Sequence, residues 1–437
     1  MQIDAAQFVE WFRSASPYIR VHRGKTFVIQ FDDVPVSEGT FTNLVHDLAL
    51  LNSLGIRLVL VFGARTSIEH RLEQAGIALD YHKGVRVTTA EAMEFVKEAA
   101  GKLRVEIEAR LSMGLGNSPM YNADLRVSSG NYVSAKPLGV VEGIDFQFTG
   151  EIRGIDVDTI KAKLEAREIV LIPPLGYSVT GECFNLGADN LAAYLASALQ
   201  ADKLIYLMET RGLRNDKDEL IRQMTQEEAE TLLQNTGGTA SYHHYLWSAV
   251  YACKQGVHRV HLIDRHVDGA VIQELFTRDG AGTMISTTPY DVMRKAGIGD
   301  IPGLMTLIEP LEQEGILVQR SREKLELEVD HFTVMERDGV IIGCGALYPF
   351  NTDDAAELAC LAVHRDYHKC GRGQSLLHAI EERARSEGLK KLFVLSTHAE
   401  HWFLEQGFNK AALDELPVAR KRLYNYRRNS KVMVKML

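Results

Sequence analysis

Short apolar runs alternate with amphipathic segments over residues 22–283, and this alternation restricts the fold more than any other feature of the sequence. The apolar runs, which we predict to be strands, are TFVIQF (26–31), RLVLVFGA (57–64), VLIPPLGYS (170–178), KLIYLME (203–209) and RVHLID (259–264). Helices are predicted near residues 40–54, 66–75, 189–200 and 241–255. Strands that alternate with helices form a mostly parallel sheet covered on both faces, so the predicted fold class is α/β.

The pattern changes after about residue 283, which indicates a second domain. A length of 437 residues also favours two or three domains over one. The predicted segments are an N-terminal helix within 1–21, a first α/β domain over 22–283, a linker over 284–290 and a second α/β domain over 291–437. In the second domain we expect helices near 300–313, 321–328 and 373–387, and strands near 331–336, 340–348, 357–363 and 390–396.

The composition disfavours several classes of protein. The formal net charge of -9 argues against a nucleic-acid partner, because phosphates attract a basic surface. The five cysteines, at 183, 253, 344, 360 and 370, show no C-x-x-C spacing, so neither a disulfide framework nor a zinc site is expected. No run approaches the roughly 20 apolar residues of a membrane span, and the N-terminus does not resemble a signal peptide. We expect a cytoplasmic protein with no membrane partner, no metal and no prosthetic group.

The loop HKCGRGQSLL (368–377) follows an apolar run and opens a predicted helix. Helix N-termini bind anions because their first N–H groups have no intrahelical partner. Gly371 and Gly373 permit a close backbone approach, and Lys369 and Arg372 add positive charge. Two glycines alone are a weak signal, and a plain strand–helix turn is the alternative.

The surrounding residues strengthen the interpretation of this loop. The strand ELACLAV (357–363), the loop and the element HWFLEQGF (401–408) follow one another as in the GNAT N-acetyltransferase family, which they resemble. One departure is His368, which stands at a position where that family has Arg or Gln. The resemblance implies acetyl-CoA as co-substrate. It implies contacts from Leu361, Ala362, Val363, His368, Lys369, Gly371, Arg372, Gly373, Gln374, Trp402 and Phe403.

A longer series of motifs extends the resemblance to the whole chain. RGKTFVI, LNSLGIRLVLVFGAR, RLSMGL, SVTGE, QELFTRDGAGT, EQEGILVQRSRE, ALYPF and LYNYRRNSKV occur in one order. This order resembles the bacterial N-acetylglutamate synthase family over essentially all 437 residues. The resemblance implies direct transfer of an acetyl group from acetyl-CoA to the amine of L-glutamate in a ternary complex, the first step of arginine biosynthesis.

Acetyl transfer to an amine requires a base, because an ammonium group cannot attack a thioester. Glu357, at the start of the strand, is the candidate base, acting directly or through a water. Backbone N–H groups near Cys360 and Leu361 are candidates to stabilise the oxyanion. Ser396, at the end of the next strand, is the candidate group for protonating the leaving thiolate. The alternatives are a strand-end surface carboxylate for Glu357 and a strand-capping serine for Ser396.

Glutamate carries two carboxylates, which guanidinium groups bind in bidentate fashion. Arg320 and Arg428 match the arginine positions of the family's glutamate site, with further contacts expected at Val318 and Cys360. Neighbouring Arg427 leaves the choice of Arg428 open, and a solvated surface arginine is the alternative for each. A covalent acetyl-Cys360 is disfavoured, because no histidine partner is implied and the family transfers directly.

Residues 22–283 resemble the amino-acid kinase fold, and most closely N-acetylglutamate kinase. Phosphoryl transfer requires lysines and glycine-rich loops around ATP. Here the first loop reads QFDD, so Gln30 replaces the lysine and Asp32 and Asp33 replace glycines. The second loop reads FGAR (62–65), and the later lysine falls near Tyr245. These changes predict a domain that no longer transfers phosphate.

Arginine-sensitive members of this fold carry an N-terminal helix and a pattern H…E-x-F-T-x-x-G-x-G-T. The matching positions here are His261, Glu274, Gly280 and Gly282, and Tyr18 on the N-terminal helix is expected to close the pocket. The resemblance implies feedback by L-arginine, with inhibition as the expected direction, and a homohexamer linked through the N-terminal helices. The alternatives are a satisfied strand histidine for His261 and an exposed helix charge for Glu274.

Three other functions remain as rivals. A bifunctional kinase and acetyltransferase is opposed by the replaced kinase residues. A non-enzymatic arginine sensor is opposed by the intact glycine loop and by Glu357. An acetyltransferase for another amine, such as a protein N-terminus or an aminoglycoside, is opposed by Arg320 and Arg428, which suit an acidic acceptor.

Overall fold

Two compact units make up the chain, Met1–Pro289 and Tyr290–Leu437. The computed structural model describes residues 5–33, 36, 41–114, 118–215, 217–235, 242–277, 280–287, 291–337, 339–368 and 371–437. The division falls inside the predicted linker 284–290, of which residues 288–290 lie outside the described ranges. The exact linker and the domain roles stay predictions.

The first unit contains helices and strands in alternation. Its helices are α1 (Ala5–His22), α2 (Phe41–Ser53), α3 (Arg65–Gln74), α4 (Ala90–Leu111), α5 (Val157–Glu165), α6 (Ala188–Leu199), α7 (Gln226–Asn235), α8 (His243–Lys254) and α9 (Ala270–Phe276). Its strands are β1 (Thr26–Phe31), β2 (Arg57–Phe62), β3 (Tyr81–His82), β4 (Val85–Arg86), β5 (Val127–Ser128), β6 (Val133–Pro137), β7 (Val140–Val141), β8 (Ile144–Asp145), β9 (Gly150–Ile155), β10 (Ile169–Ile172), β11 (Leu175–Tyr177), β12 (Cys183–Asn185), β13 (Lys203–Met208), β14 (Gln223–Thr225), β15 (Arg259–Asp264) and β16 (Thr283–Ser286).

An eight-stranded sheet in the order β14-β16-β15-β13-β1-β2-β10-β5 forms the centre of this unit. Among its neighbouring pairs only β15 and β16 run antiparallel. Phe27, Ile29 and Phe31 of β1 enter one core layer, and Val28 enters the other. Burial on both faces explains the nearly continuous apolar runs. The predicted α/β class with a mostly parallel sheet is confirmed.

The predicted strand over 170–178 is wrong as a single element. It divides into β10 and β11, which belong to different sheets. Pro173 and Pro174 lie between them, and proline has no N–H group to donate to a ladder. Strand β11 instead joins a four-stranded sheet in the order β12-β11-β6-β9.

Helix α4 was not predicted, although its signal is present in the sequence. Its buried residues include Met93, Val96, Ala100 and Leu103, which follow helical spacing. Thr89 caps its N-terminus by accepting a hydrogen bond from the backbone N–H of Ala92.

The second unit contains helices α10 (Ile301–Gln313), α11 (Arg322–Glu328), α12 (Arg372–Ser386), α13 (Glu400–Glu405) and α14 (Val418–Lys421). Its strands are β17 (Val292–Lys295), β18 (Phe332–Arg337), β19 (Val340–Phe350), β20 (Ala355–Val363), β21 (Lys391–Ser396), β22 (Asn409–Ala411) and β23 (Lys431–Met436). They form one sheet in the order β17-β18-β19-β20-β21-β23-β22.

Strands β20 and β21 run parallel but pair over only part of their length. Their register runs from Ala355↔Lys391 to Leu358↔Val394, while β20 continues to Val363 and β21 to Ser396. The two strands therefore separate after Leu358, and β20 beyond this point pairs with β19 alone.

The part of the chain that the structure describes contains neither a membrane-spanning helix nor a group of metal ligands. No helix there is both long and apolar enough to cross a bilayer. No group of three or more His, Cys, Asp or Glu side chains is arranged to hold a metal ion.

A series of buried polar groups joins β13, β15 and the turn after α9. Lys203 Nζ lies 3.2 Å from His261 Nε2, and His261 Nδ1 lies 2.6 Å from Glu274 Oε1. An ammonium group can only donate, so Nε2 accepts and Nδ1 carries the hydrogen that it donates to Glu274. The other carboxylate oxygen, Oε2, accepts from the backbone N–H groups of Ala281 (2.5 Å) and Gly282 (3.0 Å).

Burial and neighbouring charges set the protonation of these groups. Burial, followed by the charge of Lys203, lowers the pKa of His261 to about 4. Burial alone would raise the pKa of Glu274, but hydrogen bonds from His261 and the backbone lower it to about 2. Burial and then Lys203 also lower the pKa of His22 to about 4, and its Nε2 donates to Leu275 O at 2.9 Å.

Acidification from pH 7 to pH 4 should therefore destabilise the protein. His22 has a folded pKa of about 4 against its ordinary 6.5, so the unfolded chain binds more protons between these values. The free energy of unfolding should fall over this window by roughly 3 kcal/mol for His22, at about 1.4 kcal/mol per pKa unit. Glu274 acts in the same direction below 4.5, where the unfolded carboxylate takes up its proton first.

Urea unfolding midpoints measured at several pH values would check this dependence. His22→Phe should reduce the slope of stability against pH between 4 and 6.5. The matched control is His70→Gln, a change at an exposed histidine of the same unit, which should keep the slope of the native protein. An unchanged slope in His22→Phe would contradict the prediction.

Candidate active site

The site is organised by a bulge in β20. In its ladder with β19, Ala346 pairs with Ala359 while Cys344 pairs with Ala362, so two residues, Cys360 and Leu361, lie opposite one. Cys360 adopts a left-handed backbone conformation with φ of 51°. A bulge leaves its extra residue outside the ladder, and β21 separates from β20 at the same level. Here the backbone near the predicted oxyanion site leaves regular pairing.

Gly345 on β19 faces the bulge and has no room for a side chain. A Cβ atom there would lie 2.4 Å from the Cδ1 atom of Ile380 in α12. Glycine therefore lets helix α12 pack closely against the strand opposite the bulge.

Glu357, the predicted base, lies on β20 before the bulge and opposite Tyr348 in the ladder. Arg420 binds its carboxylate in bidentate fashion, with Nε 2.5 Å from Oε2 and Nη2 3.0 Å from Oε1. The Glu357 side chain is 12% exposed, so it is not the strand-end surface carboxylate of the alternative. Sequence analysis missed Arg420, because nothing in the basic run ARKR (419–422) singles it out.

Both predicted glutamate-binding arginines lie against one loop. Arg320 Nη1 donates to Val318 O at 3.0 Å. Arg428 Nη2 donates to Ile316 O at 2.5 Å and to Gly315 O at 3.2 Å. The loop after α10 thus fixes two guanidinium groups near each other. Arg427, the alternative to Arg428, is exposed.

A tyrosine and a glutamate that sequence analysis missed hold Arg320 from its other side. The hydroxyl of Tyr348 donates to Glu328 Oε2 at 2.6 Å and is hydrogen-bonded to the Arg320 side chain. Burial, followed by the bond to Glu328, raises the pKa of Tyr348, so the hydroxyl keeps its proton. These bonds restrict the orientation of Arg320.

The glycine loop leads into the 15-residue helix α12. Gly371 is its N-cap with φ of 69°, a left-handed conformation that favours glycine. The N–H groups of the first helical turn, including that of the exposed Gln374, have no intrahelical partner and can bind an anion. His368 Nε2 donates to Val363 O at 2.8 Å, and Lys369 lies outside the described residues.

The Arg372 side chain turns away from the role expected for it. Its Nε donates to Asp291 Oδ2 at 2.9 Å and its Nη1 to Tyr367 O at 3.3 Å. The side chain is 11% exposed and stacks over the ring of Tyr367. We expected its charge to serve an anion at the loop, whereas the structure pairs that charge with Asp291.

Some of the other residues predicted to contact acetyl-CoA are buried in the core, and the rest are half-buried. Phe403 is 4% exposed and packs against Phe408, so its ring belongs to the core and not to a channel wall as expected. Trp402 is half-buried, and a Cβ atom added at Gly373 would lie 3.3 Å from its ring. Ala362 is buried, whereas Leu361 and Val363 beside it on β20 are half-buried.

Ser396 ends β21 on the side where the two strands separate. Its Oγ accepts a hydrogen bond from the backbone N–H of Ala399 at 3.0 Å. The hydroxyl therefore caps the turn into α13, as the alternative stated. A hydroxyl that accepts one bond still carries a proton that it can donate.

The altered kinase loops of the first unit come together, as the sequence suggested. Asp32 Oδ1 accepts from Gln30 Nε2 at 3.2 Å, and its Oδ2 accepts from the Tyr245 hydroxyl at 3.3 Å. Asp33 Oδ2 accepts from the backbone N–H of Ser67 in the first turn of α3 at 2.5 Å. A carboxylate of the chain thus occupies a helix N-terminus that could otherwise hold a phosphate. Burial, followed by the charge of Asp33, raises the pKa of Asp32.

The residues of the predicted arginine pocket lie around α1, β15 and α9. Glu274 is buried, not the exposed helix charge of the alternative, and its carboxylate holds the turn over 280–282. Arg222 Nη1 donates to Gly280 O at 3.3 Å. Tyr18 is half-buried, with its ring centroid 6.4 Å from that of His22. His261 is satisfied on both ring nitrogens, as its alternative stated.

Comparisons with known proteins match both units. The amino acid kinase family matches residues 25–264, and the acetyltransferase (GNAT) family matches residues 302–408. Amino-acid acetyltransferases from Photobacterium profundum and Pseudomonas aeruginosa are similar over nearly the whole chain. The first is 48% identical over 441 residues, 99% of each chain, and the second is 50% identical over 430 residues, 98% of this chain and 99% of the relative.

Solved structures also match nearly the whole chain. N-acetylglutamate synthase from Neisseria gonorrhoeae, complexed with coenzyme A and L-arginine, is 39% identical with a TM-score of 0.87. That match covers 98% of this chain and 99% of the other. A complex of the same protein with coenzyme A and N-acetyl-glutamate matches with a TM-score of 0.64 over the same shares. The chain therefore belongs to the amino-acid acetyltransferase family, with an amino acid kinase segment followed by an acetyltransferase (GNAT) segment.

Proposed function

We propose that the protein transfers the acetyl group of acetyl-CoA to the α-amine of L-glutamate, forming N-acetyl-L-glutamate and CoA, under regulation by L-arginine. One observation carries the proposal: the Arg320 and Arg428 side chains both bond to carbonyls of the loop after α10, in the unit whose bulged strand carries Glu357. The Neisseria gonorrhoeae relative, which has been crystallised with coenzyme A, N-acetyl-glutamate and L-arginine, supports each component. The reaction is the first step of arginine biosynthesis and takes place in the cytoplasm.

The chemistry requires three proton and charge movements. Glu357 accepts a proton from the glutamate ammonium, directly or through a water, and Arg420 fixes the orientation of its carboxylate. The free amine attacks the thioester carbon, and backbone N–H groups at Cys360 and Leu361 stabilise the oxyanion. The thiolate of CoA then leaves and is protonated with help from Ser396. Direct transfer depends on the orientation of two substrates and not on a protein nucleophile.

Charge explains the choice of acceptor. Glutamate carries two carboxylates, and the site offers two guanidinium groups, each oriented by backbone carbonyls. A cationic aminoglycoside would be repelled by the same pair. The N-terminus of α12, with Gly371 and Gly373, holds the pyrophosphate of acetyl-CoA, as expected for an anion at unpaired N–H groups.

The first unit serves regulation and not phosphoryl transfer. Asp32 and Asp33 present carboxylates at the positions where ATP phosphates would bind, and like charges repel. L-arginine binds near His261, Glu274 and Gly280 and inhibits acetyl transfer. Coupling of this kind is typically about 1–3 kcal/mol and is reciprocal for binding, so substrates should weaken arginine binding by the same factor.

Helix α1 supplies the surface for assembly into a homohexamer. Phe8, Trp11 and Phe12 are 53%, 46% and 54% exposed, and the rings of Phe8 and Phe12 stack 6.1 Å apart. Exposed aromatic side chains in one group commonly mark an interface with another chain.

Thiol release from acetyl-CoA by the purified protein tests the reaction itself. With a panel of amino acids, release is expected with L-glutamate alone, because other acceptors lack a second carboxylate at the right distance, and L-arginine should reduce it. Release with a different amine would contradict the acceptor. No release, together with arginine binding in calorimetry, would support a non-enzymatic sensor instead.

Two variants separate substrate binding from proton transfer. Arg320→Ala should raise the KM for glutamate roughly 10- to 100-fold, with little change in the KM for acetyl-CoA, because it removes hydrogen bonds between charged groups. Glu357→Gln should lower kcat by roughly 100-fold or more, because the base is lost. Steady-state kinetics in both substrates would measure these effects.

The exposed neighbour Arg427 provides the matched control for these variants, since Arg427→Ala should change neither constant. Equal rises in both KM values for Arg320→Ala would remove Arg320 from the acceptor site. A normal kcat in Glu357→Gln would remove Glu357 from the role of base.

A charged substitution in α1 should break the assembly. Replacing Phe8 and Phe12 with Asp should reduce the mass in light scattering from six chains of 48.8 kDa to a smaller species, because charge opposes burial of this face. Val105→Asp, at a residue of α4 that is 55% exposed, should leave the mass unchanged. A double variant with the native mass would exclude α1 from the interface.

A further inference from the structure

Two cysteines meet at the bulge of the acetyltransferase unit. Cys344 lies on β19 and Cys360 on the neighbouring strand β20, and both are buried, at 0% and 6% exposure. The Cys344 thiol donates to the carbonyl oxygen of Cys360 at 3.4 Å, and the two side chains are also in contact with each other. Both are free thiols.

The bulge brings these side chains to the same face of the sheet. Cys344 pairs with Ala362 in the ladder. Cys360 therefore lies two residues before the residue that is directly opposite Cys344. Cys360 has the left-handed conformation, and both residues enter one core cluster with Ala346. The bond of the Cys344 thiol to the Cys360 carbonyl shows that the two residues are in contact at this bulge.

The two thiols differ in character. Contact with the Cys344 side chain lowers the pKa of Cys360, while burial opposes the shift and the positive charge of Arg320 adds to it. The same contact, followed by burial, raises the pKa of Cys344. A cysteine of lowered pKa next to one of raised pKa is the arrangement of an attacking cysteine and a resolving cysteine. Cys253 in the first unit offers a contrast, because burial raises its pKa to about 12.

We propose that Cys360 and Cys344 are an oxidative modification site, at which a peroxide converts the two thiols into an intramolecular disulfide. The Cys360 thiolate attacks one oxygen of hydrogen peroxide, forming a sulfenic acid and releasing hydroxide. The Cys344 sulfur then attacks the Cys360 sulfur, the S–O bond breaks, and water leaves. In balance, two thiols and one peroxide give one disulfide and two waters, and a dithiol reductant reverses the change.

The disulfide acts on the acetyl-acceptor site, a consequence that rests on the proposed function. Cys360 lies close enough to Arg320 for their charges to interact, and its backbone forms the bulge. A bond to β19 removes the Cys360 thiol and restrains the bulge. Acetyl transfer to glutamate should therefore fall in proportion to the fraction of disulfide and return on reduction.

Peptide mass spectrometry of the full-length protein provides the direct test. The protein is treated with hydrogen peroxide, free thiols are blocked with N-ethylmaleimide, and peptides are analysed without reduction. The expected result is a linked peptide pair joining Cys344 and Cys360. Full labelling of both cysteines after a peroxide treatment that oxidises other thiols would overturn the proposal.

Cysteine variants separate the site from general oxidation. Cys344→Ser keeps a donor for the Cys360 carbonyl but cannot form the disulfide, so dimedone should trap a sulfenic acid on Cys360. If this variant is poorly folded, Cys344→Ala replaces it. Cys253→Ser should give the same linked peptide as the native protein. Loss of the linked peptide in Cys253→Ser would overturn the assignment.

The mass readout is independent of catalysis. A linked peptide in a protein without glutamate acetylation would leave the modification site standing and contradict the proposed function. Normal acetylation with no linked peptide would contradict the modification site and leave the proposed function standing.

Discussion

The break in the ladder at Cys360 is the constraint on which the catalytic unit depends. Strand β20 lies between β19 and β21, where its backbone groups would otherwise all be paired. A non-glycine residue in the left-handed conformation costs roughly 1–2 kcal/mol, so the surroundings must maintain it. Gly345 allows α12 to pack opposite the bulge, and the thiol of Cys344 donates to the carbonyl of Cys360. Glu357 precedes this break on β20, and the loop into α12 follows it.

The two units use charge in opposite ways. In a chain with net charge -9, the second unit fixes each guanidinium of the candidate site against its own carbonyls or carboxylates, as Arg428 and Arg420 show. These pairs fix the orientation of the cations. In the first unit Asp33 presents a carboxylate to the N-terminus of α3, which satisfies the helix without a ligand. At the N-terminus of α3 the N–H group of Ser67 is therefore satisfied by the chain itself.

Features set by neighbouring residues in the sequence were predicted well, whereas contacts between residues far apart in the sequence were not. Strands β1 and β15 were predicted to the residue, because burial on both faces gives a continuous apolar run. Motif order placed Glu357 and Gly371 correctly on β20 and at the start of α12. Arg420 could not be found in this way, since it meets Glu357 across 63 residues of sequence. The pairing of Arg372 with Asp291, across 81 residues, was missed for the same reason.

The bonds that Glu274 already makes determine the free-energy cost of the proposed arginine binding. Its carboxylate already accepts from His261 and from the backbone N–H groups of Ala281 and Gly282. A guanidinium that binds this carboxylate must share or replace these bonds, and an unpaired buried N–H is costly. The turn over 280–282 leads directly into β16, which closes the first unit before residue 289. A ligand that alters the bonds of Glu274 therefore changes the free energy of this turn. This change in free energy is the only means by which the ligand can favour one conformation of the following residues over another.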